Sequence, residues 1–241
     1  NFIVMEINKK TYIKEENNFY KGMRKYFGRR IALYCVTGSL SYDQIILGWS
    51  DIDVLIVIKG KYNKTMFSYI EDLRRKSKIK IGITMYTQEE FLSETYKDPK
   101  THRSVFMLHK GIYVPRIIST LLKVELVDIF DMETVEMAEA SMIVHDIKRE
   151  LLNLPDYNEK KILKGIYTIM KIICQRKGHF PIGYEETARC YKRLFPNYSF
   201  IITPQTIMQN KLAPGLRTAK YFEFLNNIIN NKYAQFHRSK K

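Results

Sequence analysis

One short run, Asp51-Ile52-Asp53-Val54-Leu55-Ile56-Val57-Ile58, constrains this chain more than any other stretch. Its unbroken branched aliphatic residues, closed by Lys59-Gly60, predict a buried strand. Side chains alternate along a strand, so Asp51 and Asp53 are expected on one face. Two carboxylates that close repel each other unless a cation stands between them. Mg²⁺ suits the position, because it prefers oxygen ligands, uses one or two carboxylates and fills its shell with substrate phosphates. The pair therefore points to a metal and triphosphate edge and away from a closed structural ion cage. A second apolar run, Ile31-Ala32-Leu33-Tyr34-Cys35-Val36, ends at Thr37-Gly38-Ser39, with eleven residues between Ser39 and Asp51. Gly38 and Ser39 offer close backbone approach, amide donors and a hydroxyl, which is what phosphate oxygens need. The two pairs are read as halves of one site.

The charge balance agrees with that reading. Forty Lys and Arg against 25 Asp and Glu give +15, which favours a polyanionic partner such as RNA, DNA or nucleotide phosphate over a small cation. With 45% hydrophobic and 27% charged residues the chain is globular, and 241 residues suffice for one large domain or two small ones. Cys35, Cys174 and Cys190 are too far apart for a metal knuckle and odd in number, as expected for the reducing cytoplasm. No apolar run approaches the ~18 residues of a membrane span, so no membrane partner is expected.

Periodicity divides the chain near residue 117. Before that point the pattern predicts a helix over Thr11–Arg30 and strands over 31–36, 51–58 and 79–86. It also predicts a short helix within Leu40–Ser50 and an amphipathic helix marked by Met66, Tyr69, Ile70 and Leu73. Thr87-Gln88-Glu89-Glu90 has the form of a capping box that opens another helix. Val105–Leu108 and Ile112–Val114, on either side of Lys110-Gly111, read as a last strand or hairpin. After Ile118 the periods are helical, over Leu121–Leu154, Glu159–Arg176, Tyr184–Phe195 and Gln205–Gln235. The fold class is α/β (α+β), with a small mixed-sheet domain over 1–117 and an all-α helical bundle over 118–241.

At Val36-Thr37-Gly38-Ser39 and Asp51-Ile52-Asp53-Val54 the chain resembles the nucleotidyltransferase superfamily that includes DNA polymerase β. Within it the chain looks most like the bacterial antibiotic and minimal nucleotidyltransferases. Lys110-Gly111-Ile112-Tyr113 is similar to a late strand of theirs, and Arg176-Lys177-Gly178 with Tyr184-Glu185-Glu186-Thr187-Ala188 to a turn of their helical domain. The resemblance implies an NTP substrate, Mg²⁺, and transfer of NMP to a hydroxyl of RNA or of a small molecule such as an antibiotic. It also implies that Asp51 and Asp53 are catalytic and hold the metal, while Gly38 and Ser39 hold the β and γ phosphates. Lys164 and Lys171 of the helical domain are candidates to complete the triphosphate clamp.

The likeness departs at one place. Active members carry a third carboxylate on the strand after the pair, where it holds metal or takes the acceptor's proton. Here that slot lies within Lys80-Ile81-Gly82-Ile83-Thr84, and Gly82 fills it. Glu89 and Glu90 are the nearest acids, and a capping role explains them better than catalysis. Three readings stay open: an acid from elsewhere, one metal aided by solvent, or a nucleotide- or RNA-binding module without turnover. Trp49 is read as a packing residue, and the five histidines lack metal-ligand spacing. Between Lys211 and Lys241 seven Lys or Arg face the single acid Glu223, a candidate track for a phosphate backbone.

Overall fold

The structure, a computed structural model, describes residues 7–93, 99–120, 122, 132–153, 156–196 and 200–228. Contacts divide the chain into two compact units, Asn1–Val135 and Glu136–Lys241.

The first unit is built on four strands, β1 (Ile31–Thr37), β2 (Ile52–Ile58), β3 (Ile81–Thr87) and β4 (Pro115–Ile118), in the order β3-β2-β1-β4. Strand β1 runs antiparallel to both β2 and β4, whereas β2 and β3 are parallel. A parallel pair needs a crossover, and α2 (Lys64–Lys76) supplies it. Helix α1 (Lys9–Phe27) precedes the sheet, and α3 (Gln88–Leu92) and α4 (Pro99–His109) lie between β3 and β4. Both faces of the sheet are covered, which is why β1 and β2 read as continuous apolar runs. Ile52, Val54 and Ile56 pack in one core with Tyr12 and Phe19 of α1 and Met66 of α2. Leu55 and Val57 pack on the other face with Cys35, Phe91 and Val105.

One buried acid ties α1 to the sheet. Glu16, 2% exposed, accepts a hydrogen bond of 3.0 Å from the Tyr34 hydroxyl and pairs with Arg116 of β4. Burial pushes its carboxyl above the ordinary value of 4.5, outweighing the opposing pull of Arg116 and Tyr34. A carboxyl with a raised folded pKa binds its proton more tightly in the native state. Its contribution to stability is therefore complete below pH 4.5 and is lost as pH rises through the folded value. We expect the stability of Glu16→Gln relative to wild type to improve as pH rises from 4.5, read from urea unfolding at several pH values. A difference that stays flat would show that burial does not dominate at this carboxyl.

The second unit takes in all but the first turn of α5 (Met132–Leu152), followed by α6 (Glu159–Arg176), α7 (Gly183–Leu194), α8 (Pro204–Met208) and α9 (Pro214–Asn227). Gly165 lets α6 approach α5 closely, since a Cβ there would come within 3.1 Å of Ile147. No helix among the described residues is long and apolar enough to cross a membrane. The three cysteines are buried free thiols.

Four expectations need correction or restriction. Val105–Leu108 is helical, within α4, and the last strand lies later, at Pro115–Ile118. Leu40–Ser50 forms a 3₁₀ turn over Gly38–Leu40 followed by turns, in which Asp43 and Gly48 both take positive φ. The single period read over Gln205–Gln235 is broken between α8 and α9, where Asn210 has φ 47° and Pro214 opens a new helix. The basic tail over 229–241, like residues 123–131, lies outside the described residues.

Candidate functional site

The exit of β1 turns sharply because Gly38 adopts φ +68°, a conformation open to glycine. Its backbone is held on both sides. The Gly38 N–H donates to the Tyr113 hydroxyl at 3.3 Å. Its carbonyl accepts from both the N–H (3.1 Å) and the hydroxyl (2.7 Å) of Ser41. The chain then returns to β2 through a second tight turn, where the Ile46 carbonyl accepts from the N–H of Trp49 and of Ser50. Tyr12 of α1 donates to the Ser50 carbonyl at 3.0 Å, fixing the residue before Asp51. Trp49 is buried, as expected of a packing residue.

Asp53 sits in β2 directly between Thr37 of β1 and Gly82 of β3. A Cβ at Gly38 would lie 3.0 Å from Asp53 Oδ2, and a Cβ at Gly82 would lie 2.6 Å from Oδ1. The carboxylate is therefore wedged between two stretches of bare backbone. Among the described residues it makes no hydrogen bond or ion pair, and the Ser39 hydroxyl has no partner either. Asp51 stands one residue before β2 and is half-buried. Burial and then the Asp51 charge push the Tyr12 phenol up, against a hydrogen bond from the Gly48 backbone.

Beneath the turn lies a pair of phenols. The rings of Tyr42 and Tyr113 stack at 5.5 Å with an interplanar angle of 19°, and their hydroxyls are 2.6 Å apart. Burial pushes both phenols up, while the Arg103 charge on α4 pulls them down, and Asp53 adds to the rise at Tyr42. Tyr42 and Arg103 escaped the sequence reading because their role depends on long-range packing. Tyr113 lay within a segment already singled out, yet nothing local tied it to Gly38, 75 positions away.

Two aspartates at the mouth of β2, one of them without a partner, fit Mg²⁺ completed by phosphate oxygens. No group of three His, Cys, Asp or Glu able to hold a metal occurs among the described residues. Glu89 and Glu90 do not fill that gap. Five positions of β3 separate Gly82 from Thr87, about 16 Å of strand, so the two acids stand at the opposite end of the sheet. Glu90 is also engaged there, accepting from the Thr87 N–H at 2.7 Å and from Tyr62, and the capping box read from the sequence is present.

Thus the first unit brings Gly38 and Asp53 side by side, with Ser39 and Asp51 adjacent in the chain. Lys164 and Lys171, both half-buried and seven positions apart on one face of α6, belong to the second unit. A separate cavity of about 710 Å³ in that unit is lined by Glu186, Arg189, Lys192, Arg193 and Pro196. None of the sequence-predicted site residues is among those five.

The chain matches no family model, and no curated protein is similar to it in sequence. It is similar in structure to a spectinomycin adenyltransferase from Enterococcus faecialis, solved as a crystal structure with ATP and spectinomycin. The TM-score is 0.53 at 14% identity, covering 90% of this chain and 99% of that one. At the level of the fold, then, the chain shares the α+β architecture with a helical domain of that adenyltransferase, the fold class expected from the sequence.

Proposed function

We propose that the chain binds a nucleoside triphosphate with Mg²⁺ at the corner formed by Gly38, Ser39, Asp51 and Asp53, and transfers the NMP to an acceptor hydroxyl. The observation that carries this reading is the Asp53 carboxylate, wedged between Gly38 and Gly82 with no hydrogen bond or ion pair among the described residues. The fold shared with an adenyltransferase supports it. Asp51 and Asp53 would hold the metal, which when bound neutralises phosphate charge and draws electrons from the α-phosphorus. Ser39 would donate to the β and γ phosphates, with Lys164 or Lys171 completing the clamp. The acceptor oxygen forms a bond to the α-phosphorus as its proton passes to solvent, the bond from that phosphorus to the bridging oxygen breaks, and pyrophosphate leaves with the electron pair. The acceptor is RNA or a small hydroxyl compound; the solved relative's spectinomycin supports the second and the net charge of +15 the first. The buried free thiols suit a reducing cytoplasm, where we place the chain.

A second reading, nucleotide binding without turnover, has its own support in Gly82. The position beside Asp53, where the family that the sequence resembles carries an acid, has no side chain here, and Glu90, one of the two nearest acids after that strand, is engaged at its far end. Incubation with Mg²⁺ and each labelled NTP, with total RNA and with a panel of hydroxyl-bearing antibiotics, separates the two. Label on an acceptor together with pyrophosphate release is the expected result. Saturable, Mg²⁺-dependent binding with no release selects the second reading, and no binding at all rejects both.

A further inference from the structure

We propose that Tyr113, backed by Tyr42, is a positioning residue that fixes which donors the Gly38–Ser39 turn presents to a triphosphate. This rests on the nucleotide-binding reading above and adds Tyr113, from outside the β1–β2 motif, and Tyr42, from the turn within it. Gly38 carries three tethers, its N–H to Tyr113 at 3.3 Å and its carbonyl to the N–H and hydroxyl of Ser41 at 3.1 and 2.7 Å. Tyr113 is buried, and its hydroxyl lies 2.6 Å from that of Tyr42. Breaking the first tether would leave the half-buried Gly38 amide to find a new partner, which a fold resists. The Gly38 amide is thus committed inward. The donors left to face a ligand are those of Ser39, whose hydroxyl has no partner among the described residues. Rotating the turn to free the amide is also opposed sterically, because Gly38 already lies against Asp53. Tyr113 therefore sets the phosphate donors and the metal-facing carboxylate in one fixed relation.

The test compares Tyr113→Phe and Tyr42→Phe with wild type by calorimetric titration with Mg²⁺ and each NTP, Mg²⁺ and tripolyphosphate, and each NMP. Tyr113→Phe is expected to weaken NTP and tripolyphosphate about tenfold and to leave NMP affinity unchanged, since the turn meets only the β and γ phosphates. Tyr42→Phe, which keeps the ring stack and the amide acceptor, is expected to show the same selectivity at about threefold. Equal losses for NTP and NMP, or wild-type NTP affinity in Tyr113→Phe, overturn the proposal. If Tyr113→Phe does not fold, the Tyr42→Phe selectivity decides in the same way. A wild-type chain that binds no NTP instead rejects the underlying nucleotide reading, and this proposal with it.

Discussion

Asp53→Asn is expected to lower nucleotidyl transfer by about three orders of magnitude. Asparagine has nearly the size of aspartate, so it fits between Gly38 and Gly82 without displacing either strand. What it loses is the negative charge. A neutral amide does not attract Mg²⁺ strongly, so the phosphate charge that the metal would neutralise is left uncompensated, and the remaining carboxylate at Asp51 cannot hold the ion alone against water. Melting temperature should stay close to wild type, because the wild-type carboxylate makes no hydrogen bond or ion pair among the described residues that the variant would break. Should the chain bind without turnover, the same substitution removes the Mg²⁺ dependence of NTP affinity. Label transfer at an undiminished rate would place the chemistry away from β2.

Glu159→Ala is expected to destabilise the second unit by about 3–5 kcal/mol. Glu159, in the first turn of α6, accepts from Arg217 Nε at 2.6 Å, from Arg217 Nη2 at 3.1 Å and from the Tyr221 hydroxyl at 2.8 Å. Arg217 is 6% exposed, so truncating its partner leaves a guanidinium charge in the interior with, among the described residues, the Leu212 carbonyl to receive it. The pairs Arg75–Glu71 within α2 and Lys220–Glu223 within α9 are exposed or half-exposed, and breaking them with Arg75→Ala or Lys220→Ala should cost about 0.5 kcal/mol or less. Urea unfolding of the three variants checks the contrast. Similar losses for all of them would show that the Glu159 contact is solvated in solution.

The sheet core was legible because both of its faces are covered, so β1 and β2 announce themselves as unbroken apolar runs. The segment from Val105 to Val114 was not legible, for a physical reason. Helix α4 buries Thr101 and Ser104 on the face it shares with Val105, and the Tyr86 hydroxyl, 2.7 Å from Thr101, makes that tolerable. Polar residues at buried positions hide the helical period and leave Val105-Phe106-Met107-Leu108 looking like a strand. The true last strand begins with a proline, a residue confined to the start or the edge of a sheet, and β4 meets both conditions. At the site, the two pairs were visible because their signal is local: a glycine where the chain must bend and acids where an apolar run begins. The phenol pair and Arg103 depend on packing between distant segments, and no periodicity encodes that. Lys164 and Lys171 came from the family likeness alone, and their role is a matter for mutagenesis.

The contact between Gly82 and Asp53 links the histories of two positions. Any side chain at 82 begins 2.6 Å from the aspartate oxygen, so an acid there requires the carboxylate at 53 to take up another rotamer first. Gain or loss of that acid is accordingly epistatic with the state of residue 53. Grafting it into this chain as a lone change would disturb the ligand it was meant to assist, and a working three-acid centre would have to be reached through compensating steps at both sites.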